Sequence, residues 1–193
     1  MRRKILFIVT ALVFLLLLTA CSANQTAEER VLALRERFNA ATPRFAAHVT
    51  ADYGDRVYGF TLRFDAGASS IQVLAPEVLA GIQIGIAEGG TVLQFEGAEL
   101  NTGALTADGL SPLSALPTIV AEWNAGHIIE AHYETLHDIR TVVMTTAVSD
   151  TVRHKTWFNA ETDIPIQAVI LSDGFAVITA VFEGGGLFDG DTT

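Results

Sequence analysis

Cysteine occurs once in the 193 residues, at position 21, so an internal disulfide is excluded. Positive charge is also scarce: 12 Lys and Arg stand against 22 Asp and Glu, a net of −10. Attraction to phosphates supplies most non-specific nucleic-acid affinity, and this chain offers neither a basic cluster nor a basic stripe, so nucleic acid is excluded as a partner. The mechanistic motifs are missing as well. There is no Gly-x-Ser-x-Gly elbow, no His-Glu-x-x-His helix, no Walker loop and no GxGxxG after a strand, and the glycines at 184–186 precede no helix. Acidic residues such as Asp65, Glu77, Glu88, Glu96 and Glu99 fall at expected turns and strand ends, where solvation accounts for them. The expectation is a non-enzymatic protein without cofactor or metal.

What is present begins at the N-terminus. Basic Arg2, Arg3 and Lys4 precede the apolar stretch Ile5–Leu18, and Leu18-Thr19-Ala20-Cys21 closes it. A basic n-region, an apolar core of about 7–15 residues and small residues before the cleavage point make a secretory signal. The stretch falls short of the roughly 20 apolar residues a spanning helix needs. Leu18-Thr19-Ala20-Cys21 resembles the lipobox of bacterial lipoproteins. The resemblance implies that residues 1–20 are a lipoprotein signal peptide and that Cys21 carries a diacylglyceryl thioether, anchoring the protein to a membrane. Two acyl chains hold stably, at about 0.8 kcal/mol per buried methylene. The expected location is the extracytoplasmic face of the cell membrane or, in a diderm, a periplasm. With Cys21 lipidated, no thiolate metal site or cysteine nucleophile remains. The three basic residues of the signal have no acidic neighbours, so the mature chain carries nine basic against 22 acidic groups, a net of −13.

After a short tether over 21–26, Thr26-Ala27-Glu28-Glu29 matches a capping box, and Val31, Leu34, Phe38 and Ala41 follow at helical spacing until Pro43. The period then changes to two. Phe45, Ala47, Val49, Ala51 and Tyr53 alternate with Arg44, Ala46, His48, Thr50 and Asp52, Gly54-Asp55 turns, and Tyr58, Phe60, Leu62 and Phe64 repeat the pattern, which predicts a hairpin. Further strands are expected at 70–75, 82–86, 91–95 and 98–101, continuing an antiparallel meander. Ser111-Pro112 starts a helical region in which Pro117 predicts one broken helix or two short ones, with Leu113, Leu116, Ile119, Val120 and Trp123 forming an apolar side. Strands at 127–136, 139–148, 152–159, 166–171 and 175–183 complete the chain, and the glycine-rich end is expected to fray.

His127, His132 and His137 are spaced by five, and Glu130, His132 and Glu134 share a strand face. Ile128, Glu130, His132 and Glu134 read as a solvated face rather than a metal site, and His48 and His154 occupy polar-face positions. The larger signal is an excess of apolar residues on one side of the meander. Phe45, Tyr58, Phe60, Leu62, Phe64, Ile71, Val73, Ile82, Ile84 and Phe95, together with Leu116, Ile119 and Trp123, are the candidate lining of an apolar cavity under the two helical segments. An ordinary packed core is the alternative use of the same residues.

The order of helix, strand meander, central helical insert and further strands resembles the LolA/LolB-like superfamily of lipoprotein carriers and their lipoprotein relatives, over roughly residues 27–183. Ser70-Ile71-Gln72-Val73-Leu74-Ala75-Pro76 through Gly81, then Gly90-Thr91-Val92-Leu93-Gln94-Phe95-Glu96-Gly97, looks like the family's strand, proline loop, strand, turn and short strand. Trp157 through Ile166 is similar to its strand, acidic turn and Ile-Pro re-entry into the sheet. The resemblance implies an α+β fold, an incomplete antiparallel β-barrel formed by a curved meander sheet, with helices covering the concave face of a LolA-like domain at 27–186; the glycine-rich end of the sequence is expected to leave a flexible tail at 187–193. It implies an apolar cavity that shields a lipid or acyl-chain ligand. The soluble carrier is not itself lipidated, so Cys21 makes this chain more similar to the anchored receptor, or to LolA-fold lipoproteins that bind protein partners of the cell envelope. Pro76–Gly81, with Val78 and Leu79, is the candidate for the receptor's protruding apolar loop.

Overall fold

A computed structural model describes residues 25–40, 45–65, 68–87, 90–103 and 108–187. The expected signal peptide, Cys21, Pro43, the turns at 66–67 and 88–89, and residues 188–193 lie outside the described residues.

Helix α1 spans Ala27–Asn39. Thr26 caps it as expected: its hydroxyl accepts from the Glu29 amide at 3.2 Å while the Glu29 carboxylate accepts from the Thr26 amide at 3.1 Å. Val31, Leu34 and Phe38 form its buried stripe. Six strands follow as a meander: β1 Phe45–Asp52, β2 Val57–Asp65, β3 Ala68–Ala75, β4 Gln83–Ala87, β5 Gly90–Phe95 and β6 Ala98–Gly103. Between β3 and β4 lies a single 3-10 turn, Glu77–Leu79. Helix α2, Pro112–Ala125, then leads to a second meander of β7 His127–Leu136, β8 Ile139–Ala147, β9 Val152–Asn159, β10 Pro165–Ser172 and β11 Phe175–Leu187.

All pairs are antiparallel, and β1 pairs with β11, so the two meanders fuse into one eleven-stranded sheet with β6 and β7 at its edges. Helix α2 carries the chain from one edge to the other. The sheet is an incomplete barrel whose concave face is covered by α1 and α2. Its two ends follow from the register. The starts of β1 and β10, the end of β11 and the corner at 159–165 share one end. The Tyr53–Arg56 turn, the loop at 76–82, the β5–β6 turn and the turns at 148–152 and 172–175 form the other, which we call the mouth. The hydroxyl of Tyr53 donates to the Ser111 carbonyl at 3.3 Å, which fixes the start of α2 at the mouth.

Several sequence expectations need correction. Helix α2 is continuous through Pro117. The proline lies early in the helix and removes one backbone bond, while Leu116, Ile119, Val120 and Trp123 are all buried, and that burial outweighs the loss. Glycines 184–186 do not fray: β11 runs to Leu187, with Gly186 opposite Ala46, and Gly184 at φ +65 takes up the register shift. Ile128 does not share a face with Glu130, because a bulge between them turns Ile128 toward the core. His154 is not on a polar face either; it is 2 % exposed on the concave side.

Candidate functional site

Most of the apolar residues expected to line a cavity instead pack against one another and the helices. Phe45, Tyr58, Phe60, Leu62, Phe64, Ile71, Val73, Ile84, Leu116, Ile119 and Trp123 all belong to one buried cluster. Trp123 stands at its centre, with ring centroids 5.5 Å from Phe158, 5.7 Å from Phe38, 5.8 Å from Phe182, 6.1 Å from Phe45 and 6.5 Å from Phe64. Its indole N–H donates to the Thr156 hydroxyl at 3.1 Å, so the polar handle of the largest side chain is satisfied inside the core. The middle of the concavity is filled by the protein's own rings.

Ile82 and Phe95 differ from this group. They sit at the mouth ends of β4 and β5 and, with Leu93, Leu100 and Leu113, line an open apolar cleft of about 250 Å³ between β4–β6 and the first turn of α2. Ile84, Leu93 and Leu100 form a row across three strands, so Leu100 extends the core face to the sheet edge. Yet Leu100 is 62 % exposed and Phe95 43 %. Sequence reasoning missed Leu93 and Leu100, although the alternation of Leu93 with Gln94 and of Leu100 with Glu99 carried the signal. The polar rim is ordered by Gln94, whose amide donates to the Glu99 carboxylate at 3.1 Å. In the neighbouring loop Leu79 packs on the core, while Val78 points outward and is 82 % exposed.

Helix α1 is fastened at the opposite end. Asp163, fully buried at the β9–β10 corner with φ +62, accepts from the guanidinium groups of both Arg30 and Arg37. Arg30 also donates to the Ala160 carbonyl at 3.0 Å. Arg35 bonds the Gly126 carbonyl at 2.6 Å and so ties α1 to the end of α2.

On the outer face His132 lies between Glu130 at 3.3 Å and Glu134 at 3.1 Å, with Lys155 3.7 Å from Glu134 and 4.5 Å above the Trp157 ring. The His132 bond holds the Glu134 carboxyl below its usual range. His127 and His137 lie elsewhere, at the start of β7 and in the turn after it. Among the described residues, no group of three His, Asp or Glu side chains is placed to hold a metal ion. No described helix is long and apolar enough to cross a membrane.

No family model matches the sequence, nor does any curated protein. Similarity appears among solved structures. An uncharacterized conserved protein from Thermus thermophilus superposes with a TM-score of 0.58 at 9% identity, covering 84% of this chain and 88% of that one. MucB superposes at 0.51 and 12% identity over 86% of this chain, which spans about 60% of MucB's own length. A LolA superfamily protein from Nitrosomonas europaea aligns more loosely, at 0.46 and 14% identity, over 85% of this chain and 94% of that one. The fold is one shared with the Thermus protein and MucB. At these identities the likeness is one of architecture. Within this half-barrel, the apolar cleft at the mouth is a part of the concave face that the protein's own side chains leave open to solvent.

Proposed function

We propose that the chain is a membrane-anchored, non-enzymatic binding lipoprotein that takes an acyl chain of a lipid or acylated ligand in the cleft between β4–β6 and α2. The observation that carries this reading is the exposure of Leu100 and Phe95 over an apolar floor in an otherwise well-filled half-barrel. Solvent exposure of such side chains costs about 25 cal/mol per Å², which an apolar occupant recovers. At about 250 Å³ the cleft exceeds the ~150 Å³ cavities that bind benzene, yet falls below the ~300–1,000 Å³ of whole-ligand pockets. It therefore suits the end of a chain, with the remainder lying along the mouth. Anchoring through Cys21 would hold the domain at the extracytoplasmic face of a membrane, and the acidic mature chain needs no membrane patch of its own.

A protein-interaction reading is favoured by a different observation, the filled aromatic centre. It is also in keeping with MucB, which has been solved in complex with MucA. In that reading the cleft receives an apolar side chain from a cell-envelope partner.

Native mass spectrometry of the Cys21→Ser domain, followed by solvent extraction, separates the two. A stoichiometric fatty acid or phospholipid that is lost in Leu100→Asp supports the acyl-chain reading. An apo mass that lipids leave unchanged overturns it in favour of a protein partner.

A further inference from the structure

We infer that the rim of the mouth is a docking surface for a protein segment that is apolar and basic at once, such as a cationic amphipathic helix. The site goes beyond the cleft reading and needs neither occupant of the cleft. Four of the five mouth turns carry an exposed apolar side chain. Val57 is 57 % exposed, Val78 82 %, Phe95 43 % and Phe175 75 %. Ile139, in the β7–β8 turn of the opposite end, is 37 % exposed. Leu74, also exposed, joins Val57 across Gly59, where an added Cβ would meet the Leu74 Cβ at 3.8 Å, so the apolar surface continues from β2 to β3. Exposed apolar groups that gather at one end of a domain mark an interaction surface.

Charge selects the occupant. Every one of the five turns carries an exposed carboxylate, from Asp55, Glu77, Glu96, Asp150 and Asp173, and in four of them it stands one or two residues from the apolar tip. Among the described residues of these turns Arg56 is the one cation, and it lies 3.8 Å from Asp55 with both side chains largely in solvent. Apolar tips alone would suit a bilayer as well as a protein. Carboxylates beside each tip would be carried against lipid phosphates and stripped of water. A protein segment with Lys or Arg around an apolar stripe meets both demands. The tips bury against the stripe, and the carboxylates pair at the rim, where charge sets orientation and partner choice.

Chain length points the same way, on the reading that Cys21 is anchored. The Tyr133 hydroxyl donates to the Gln25 carbonyl at 3.2 Å. Tyr133, Val142, Phe158 and Pro165 stand in register at the end opposite the mouth. From Val142 along β8 to Ala147 at the mouth is about 16 Å at strand spacing, and the 148–152 turn lies farther still. The chain from Gln25 back to Cys21 spans about 14 Å at most. The anchor therefore holds the domain by the end away from the mouth.

The test uses the full-length chain in phosphatidylcholine nanodiscs, with empty nanodiscs as the reference and a fluorescent amphipathic peptide of Leu and Lys as the probe. Anisotropy should report saturable binding that weakens with salt and is absent for Leu/Glu and Ser/Lys peptides of the same length. Val78→Ser with Phe175→Ser should weaken it about tenfold. Glu77→Gln with Asp173→Asn should weaken it about three- to tenfold. All four positions are exposed, so the fold is preserved. Glu28→Gln with Glu161→Gln removes the same charge at the opposite end and should leave the affinity unchanged. Equal weakening by the two charge pairs would overturn the inference, because net charge alone would then explain the binding. Flotation of the nanodiscs with phosphatidylglycerol vesicles, lost in Val78→Ser with Phe175→Ser, would overturn it equally and assign the tips to a bilayer. Leu100→Asp, which tests the cleft, should leave peptide binding in place, so the two readings fail separately.

Discussion

Trp123 donates its indole N–H to the Thr156 hydroxyl at 3.1 Å, which joins α2 to the floor of the half-barrel at the point where a ligand cavity would otherwise lie. This bond and the surrounding rings make the centre a packed core. Trp123→Phe should cost about 1–3 kcal/mol, because it strands the buried Thr156 hydroxyl. Trp123→Ala should cost about 3–5 kcal/mol and leave a void of the order of 150 Å³, large enough to take a small aromatic molecule. Urea denaturation measures the first pair of numbers. Ligand-dependent thermal stabilisation by benzene, present in Trp123→Ala and absent in the parent, measures the last.

Asp163 should be the most sensitive polar position in the fold. Its carboxylate is fully buried between Arg30 and Arg37, and removing one partner of a buried ion pair costs about 3–5 kcal/mol. Asparagine tolerates the positive φ found here, so Asp163→Asn isolates charge from backbone strain. Arg30 is the more buried of the two arginines, so Arg30→Met should destabilise more than Arg37→Met. Equal effects of the two in chemical denaturation would mean that the clamp is not set by burial.

The strands and the buried stripe of α1 were legible because each rests on local periodicity: Val31, Leu34 and Phe38 repeat at helical spacing, and Phe60, Leu62 and Phe64 keep to one sheet face. Four features were not, and three of them have a non-local cause. Continuity of α2 through Pro117 is decided by burial against the sheet, which overrides a local breaker. The facing of Ile128 depends on a bulge set by pairing with β8, and one extra residue inverts the alternation. The candidate cavity residues were identified as a group, but spacing alone does not say whether an inward face meets a ligand or the next side chain. Phe45 and Phe64 meet Trp123, whereas Phe95 meets solvent, because α2 begins at the mouth and its tryptophan lies deeper. The fourth, His154, was expected at a polar-face position, yet the alternation that sends Arg153 outward sends it in.

His154 should give the stability a pH dependence in a window of its own. Its pKa is about 4 in the folded protein against 6.5 for an unperturbed histidine, the value that the unfolded chain approximates, so the unfolded chain takes up the proton first. Stability is then complete above pH 6.5 and is lost as pH falls toward 4, by up to about 3 kcal/mol. Ordinary carboxylates contribute little between about pH 6.5 and 5, so the slope there belongs to histidine. His154→Gln should flatten it, as measured by urea midpoints across that range. A slope unchanged in the variant would assign the effect to another group.

Gly109 and Gly97 separate two costs that usually come together. Both adopt positive φ, +67 and +82, which costs a residue with a side chain about 1–2 kcal/mol. A Cβ at Gly97, in the tight turn of the mouth, meets nothing within 4 Å, so Gly97→Ala should show the backbone cost alone. At Gly109 the same atom would fall 2.9 Å from the Thr118 Cβ on α2, so Gly109→Ala must also lift the segment from the helix. Its excess destabilisation over Gly97→Ala measures how tightly 108–110 is held. Because Asp108 lies against the His154 ring, lifting the segment should admit water to the imidazole and raise its pKa from about 4 back toward 6.5. Histidine titration by NMR should therefore move in Gly109→Ala and stay put in Gly97→Ala. Equal destabilisation in both, with His154 titrating as in the parent, would mean that the segment does not seal that side of the half-barrel.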